Sequence, residues 1–151
     1  MTCINVSRGA ATIVLTASAI LGGCSFSPVS SGVVSGQLGI CPSSPNCVSS
    51  YNADGTHRIA ALRFQGNRDA AKRKLITVLG IREDTQIEED KDDYVRVTFT
   101  TPYLKFVDDG EFLFTDNSIE VRSASRMGYS DMGKNRDRME EIRKAFEPCC
   151  D

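Results

Sequence analysis

The segment Tyr94-Val-Arg-Val-Thr-Phe-Thr100 decides the fold. Val95, Val97 and Phe99 alternate with Arg96, Thr98 and Thr100, the two-residue period of a strand with one face on a core. Downstream, Phe112 and Phe114 alternate with Glu111 and Leu113, the turn-forming pair Asp116-Asn117 follows, and Ile119 and Val121 alternate with Glu120 and Arg122. Together these read as an antiparallel meander. Upstream, Thr85 to Glu89 is a weaker strand candidate, joined to the first through Lys91-Asp92-Asp93, and His57 to Phe64 is another.

Two helical patterns bracket the meander. Asn67 followed by RDAAKRKLITVLG puts Ala71, Leu75, Val78 and Leu79 on one stripe, with Asn67 as N-cap and Gly80 as a C-terminal stop. A last helix from about Arg136 to Phe146 carries Met139, Ile142 and Phe146 on one face, with Asn135 as N-cap and Pro148 as stop. The predicted class is α+β: an antiparallel sheet of about five strands, in the order β-α-β-β-β-β-α, with two helices packed on one face. That arrangement buries both apolar stripes at once.

The front of the chain carries a different signal. Arg8 precedes an uncharged stretch from Gly9 to Leu21, about thirteen residues where a membrane span needs roughly 20, which fits the apolar region of a signal peptide. The run ends in Leu21-Gly22-Gly23-Cys24, an apolar residue, two small residues and a cysteine, which resembles the bacterial lipobox. Small residues suit the extended peptide in a narrow protease cleft, and the thiol is the nucleophile that takes the lipid. Residues 1–23 are therefore read as a signal peptide, Cys24 as the lipidation site carrying acyl chains such as palmitate, and residues 24–40, rich in Ser and Gly, as a flexible tether. The domain proper is expected over 41–151. This places the protein in the bacterial cell envelope, anchored to a membrane and facing the periplasm or the cell exterior. Ser25 after the acylated position suits the outer membrane where there is one.

Cys3 leaves with the signal peptide and Cys24 is lipidated, so Cys41, Cys47, Cys149 and Cys150 remain. An even remainder in an exported chain points to disulfides. Cys41 and Cys47 sit in a short turn-rich segment and can close a small loop. A bridge between adjacent cysteines is strained, so a link from this pair to Cys149 or Cys150 is the other geometry. Zinc sites space their pairs by two to four residues, which neither pair here does, so no metal and no cofactor is expected.

Removing residues 1–23 takes away Arg8 alone and leaves 17 basic against 20 acidic side chains, a net of −3. Nucleic-acid binding needs a clustered positive field, and the late basic residues are interleaved with Asp131, Asp137, Glu140 and Glu141. No nucleic-acid partner is expected.

The segments CPSSPNCVSS (41–50), FVDDGEFLF (106–114) and RSASRMGYSDMGKNRDRMEEIR (122–143) resemble the DUF1499 family, a domain of bacterial exported proteins and plant plastids. The resemblance spans about residues 40–147. It implies no activity, and no catalytic residue comes with it. The terminal Cys149-Cys150 departs from the family pattern.

Within the last motif, Arg122, Arg126, Asn135 and Arg136 surround a Gly-bounded loop and the start of a helix, whose unpaired N–H groups favour an anion such as phosphate or carboxylate. The competing reading is that these arginines pair with Asp108, Asp109 and Glu111 and pin the loop to the sheet. A hydrolase using the Asp108, Arg122 and Ser123 neighbourhood is the alternative function. It lacks a nearby base, since His57 is far away in sequence and there is no G-x-S-x-G elbow. Adjacent carboxylates Asp108-Asp109 point to opposite faces of a strand. The leading expectation is a lipid-anchored, non-enzymatic binding or structural module.

Overall fold

The structure is a computed structural model, and it describes residues 32–147. A short hairpin, β1 (Val33–Val34) and β2 (Gln37–Leu38), comes first. The main sheet is built from β3 (Cys47–Ser49), β4 (Leu62–Arg63), β5 (Thr85–Lys91), β6 (Tyr94–Thr100), β7 (Val107–Phe114) and β8 (Ser118–Ser125). Its spatial order is β3-β8-β7-β6-β5, antiparallel throughout. β3 and β4 share one edge of β8, with Val48 opposite Ser123 and Leu62 opposite Ile119. Helix α1 (Arg68–Gly80) joins β4 to β5, and α2 (Lys134–Phe146) follows β8.

The predicted order of strand, helix, four strands and helix is present, with β4 as its opening strand. The sheet is larger than expected by β3, which is too short to display an alternating pattern. Most of the segment 57–64 is not strand: a 3-10 turn covers Gly55–His57, Arg58 makes a single parallel bridge to Ser49, and only Leu62–Arg63 forms a strand. Residues 33–38, inside the segment expected to be tether, form the short hairpin. Ser35 (φ 54°) and Gly36 (φ 75°) both adopt positive φ, as the two central residues of a tight hairpin turn must. The Ser-Gly composition that suggested a tether therefore makes a turn here, and Leu38 is buried with Tyr94 and Leu113 in a small second cluster.

The main core lies between the sheet and the two helices. Val95, Val97 and Phe99 of β6, Phe112 and Phe114 of β7, and Ile119 and Val121 of β8 meet Leu75 and Leu79 of α1 and Met139, Ile142 and Phe146 of α2. Gly110 faces this core opposite Val97, and a Cβ there would come within 2.9 Å of Val97 Cγ2 and closer still to the Phe99 ring. The glycine is what lets that ring lie flat across β7. Asn67 caps α1 as predicted, its side chain accepting from the N–H groups of Asp69 and Ala70 at 2.7 and 3.2 Å. For α2 the expected N-cap is wrong: the cap is Gly133, in the left-handed region, and Asn135 lies inside the helix, fully buried.

Candidate functional site

Three groups of residues carry the chemistry of this domain, and alternation along the strands decides which face each occupies. On the face away from the helices, Glu111 and Arg122 sit opposite one another on β7 and β8. Arg122 Nη1 donates to Glu111 Oε2 at 2.8 Å, and the Tyr94 hydroxyl donates to Glu111 Oε1 at 2.8 Å. Glu111 is 0% exposed and Arg122 2%. Two residues along, Arg126 makes a bidentate pair with Asp109 at 2.9 and 2.8 Å, and Arg96 approaches Asp109 and Glu89 at 3.9 and 3.6 Å. The result is a ladder of alternating charge across β5 to β8. Its hydrogen bonds to the Asp109 carboxylate hold the Arg126 guanidinium above its ordinary pKa, against the opposing pull of burial.

On the helix face, a polar cluster fastens α2 to the sheet. Asn135 Oδ1 accepts from Ser123 Oγ at 2.5 Å and from Arg138 at 3.2 Å, while Nδ2 donates to Ser125 Oγ and to the carbonyl of Asn46. Arg138 pairs with Asp108 at 2.9 Å and stacks on the Phe99 ring, 4.5 Å from its centroid. Asp84 lies on the other side of Arg138 at 3.6 Å and is held mainly by Arg82. Burial alone would raise the Asp84 carboxyl, but the hydrogen bonds and charge of Arg82, with Thr85 and Arg138, outweigh it and keep its pKa below the ordinary value.

The third group is a cleft of about 230 Å³ at the end of the sheet where β6 and β8 finish and β7 starts. Loop 101–106 forms one wall with Phe106 and Thr101, and loop 126–133 the other with Met127 and Ser130, and Lys134 also lines it. The walls are largely apolar. In the same two loops, Tyr103 is 95% exposed, Leu104 72%, Tyr129 76% and Met132 92%. Lys105 and Met132 hold positive φ, as do Gly128 and Gly133, so both loops turn sharply.

The predicted anion-binding residues do not converge. Arg122 and Arg126 lie on the face away from the helices, whereas Asn135 bonds Ser123 and Ser125 on the opposite face of β8. Arg136 donates to the backbone carbonyls of Arg58 and Thr56 at 2.8 and 2.6 Å. Three N–H groups at the start of α2 already have an acceptor in Asp131: its carboxylate takes those of Gly133 and Asn135 at 3.0 and 2.8 Å, and its carbonyl that of Lys134 at 3.2 Å. The pairing of arginines with Asp109 and Glu111 is what the structure contains. Asp108, Arg122 and Ser123 are likewise divided between faces, and the Ser123 hydroxyl is buried against Asn135. The His57 ring meets the backbone carbonyl of Ser44 at 3.2 Å and the Asp54 carboxylate at 3.5 Å.

Cys41 and Cys47 are joined by a disulfide, with Cα atoms 5.7 Å apart. It holds the segment leading into β3, where Asn46 donates to the carbonyl of Gly128 in the cleft loop at 2.7 Å. Cys24, the lipobox and Cys149-Cys150 lie outside the described residues. Among the described residues, no group of three or more His, Cys, Asp or Glu side chains is placed to hold a metal ion, and no helix is long and apolar enough to cross a membrane. Arg138 and the apolar loops are the features that sequence reasoning missed. Arg138 had a signal: Asn135, Arg138, Ile142 and Phe146 share one helical stripe, so a polar pair on a buried face was readable.

An antiparallel sheet with two helices on one face and a loop-walled cleft at one end defines a small α+β domain. The chain belongs to the DUF1499 family, described as proteins of unknown function, whose profile matches residues 37–146. No curated protein and no solved structure matches it.

Proposed function

We propose that the protein is a lipid-anchored module of the bacterial cell envelope, held to a membrane by acyl chains on Cys24, and that it acts by binding through the cleft end of its sheet. The observation that carries the anchor is Leu21-Gly22-Gly23-Cys24 directly after the apolar run. The Cys41–Cys47 disulfide supports it, because such bonds persist in oxidising compartments outside the cytoplasm. Binding through the cleft end is supported by the contrast between groups. The polar side chains of the strands and of α2 hold one another, whereas the cleft and its rim present apolar surface to the outside.

Mass spectrometry of the mature N-terminus from bacterial membranes tests the anchor. The expected species begins at Cys24 and carries a diacylglycerol thioether. A mature chain starting elsewhere, or an unmodified Cys24, removes the proposal.

A further inference from the structure

We infer that the cleft end is a bilayer-contacting surface, in which Tyr103, Leu104, Phe106, Met127, Tyr129 and Met132 enter the interfacial region of the membrane; this deepens the binding reading above and rests on the anchor for its proximity to lipid. These six side chains are exposed large hydrophobics, and they come from only two loops at one end of the sheet. The two strand turns at the opposite end carry none. There β5 and β6 are joined through Asp92-Asp93, and β7 and β8 through Thr115-Asp116-Asn117, with no exposed large hydrophobic in either turn.

The chemistry of the patch selects a lipid surface over a protein groove. Tyrosines with an apolar ring and a polar tip, beside Leu, Phe and Met, are the side chains that settle at the headgroup boundary. Lys105 and Lys134 flank them, and neither has an ion pair among the described residues, so both are available to anionic headgroups. The acidic groups nearby are engaged inward, Asp108 with Arg138 and Asp131 with the start of α2. The chain between Cys24 and β1 spans at most roughly 30 Å when extended, at about 3.4 Å per residue, so an anchored domain cannot leave the bilayer. A weak surface then suffices, because tethering makes the contact intramolecular.

The chain contains no tryptophan, so a single introduced one is a clean reporter. Tyr103→Trp and, as a control at the other end, Asn117→Trp are made in the full chain. Each is reconstituted in vesicles of phosphatidylethanolamine and phosphatidylglycerol with or without brominated acyl chains. Emission from the Tyr103→Trp protein should shift to the blue and fall at least twofold with brominated lipid, whereas the Asn117→Trp protein changes little. Raising the phosphatidylglycerol share should deepen the quenching. Equal emission from the Tyr103→Trp protein in both lipids, with Cys24 acylated, overturns the inference and leaves the anchor standing. A blue shift that follows protein concentration and ignores bromine assigns the surface to a second copy, and also overturns it. If Cys24 proves unmodified, the anchor fails and the inference, which depends on it for proximity to lipid, falls with it.

Discussion

Asp109 is 0% exposed, whereas Phe106, just upstream on the same stretch of chain, is 45% exposed. The same inversion repeats from β8 into the loop that follows it, where Arg122 within the strand is buried and Tyr129 and Met132 beyond it stand in solvent. The strand region hides charge and the cleft end displays apolar surface. Burying charge is unfavourable unless every charge is paired, and the strands meet that condition with Arg122 on Glu111 and Arg126 on Asp109. Displaying apolar surface is unfavourable in water unless something else covers it. The first region thus explains itself within the domain, and the second points outside it.

The comparison breaks most visibly if the strand charges are dispensable. Arg122→Ala leaves the buried Glu111 carboxylate without its cation, and denaturant melts should show a loss of roughly 3–5 kcal/mol. A loss under 1 kcal/mol would mean that the ladder is solvated and the inversion false. Next, Gly110→Ala pushes a methyl group into Val97 and Phe99, and overpacking of this kind costs about 1–3 kcal/mol. The same melts, followed by near-ultraviolet circular dichroism of the aromatic core, check it.

The ion-pair cluster beside the cleft gives a pH signature. The folded-state pKa of Asp84 is depressed, so its contribution to stability is present above the unfolded value of about 3.9 and is lost as pH falls through the lower folded value. The parent should therefore be more stable than Asp84→Asn at neutral pH, with the difference closing below about pH 4. Melts of the two proteins across pH 2–7 measure this. A difference that widened on acidification would contradict the sign.

Much of this was readable before any coordinates. The alternation of Val95, Val97 and Phe99 and the stripe from Ala71 to Leu79 survive intact because each is long enough for its period to show. β3 and β4, at three and two residues, have no period to read. The hairpin at residues 33–38 was hidden by composition, since the Ser and Gly that suggest flexibility are also the residues a positive-φ turn requires. Alternation with Ile119 and Val121 puts Arg122 on the face away from the core, yet Arg122 and Asn135 read as one site because they are neighbours in a motif. Only the pairing across β7 and β8 reveals that the strand parts them. The apolar rim carried no signal, because Tyr103, Leu104 and Met132 lie in loops without periodicity, and exposure there depends on tertiary packing.

The smallest expected stability effect belongs to the cleft rim: Leu104→Ser should alter unfolding free energy by no more than about 0.5 kcal/mol, since the side chain is 72% exposed. This makes a paired measurement the most direct test of the account. Leu104→Ser and Arg122→Ala are each made in the Tyr103→Trp reporter chain and assayed for denaturant stability and for quenching by brominated lipid under conditions where the protein is folded. The account predicts that Arg122→Ala loses stability and keeps its quenching, while Leu104→Ser keeps its stability and loses most of its quenching. Quenching lost in the folded Arg122→Ala protein and retained in Leu104→Ser would contradict it, and would move the interaction surface from the loops to the charged face of the sheet.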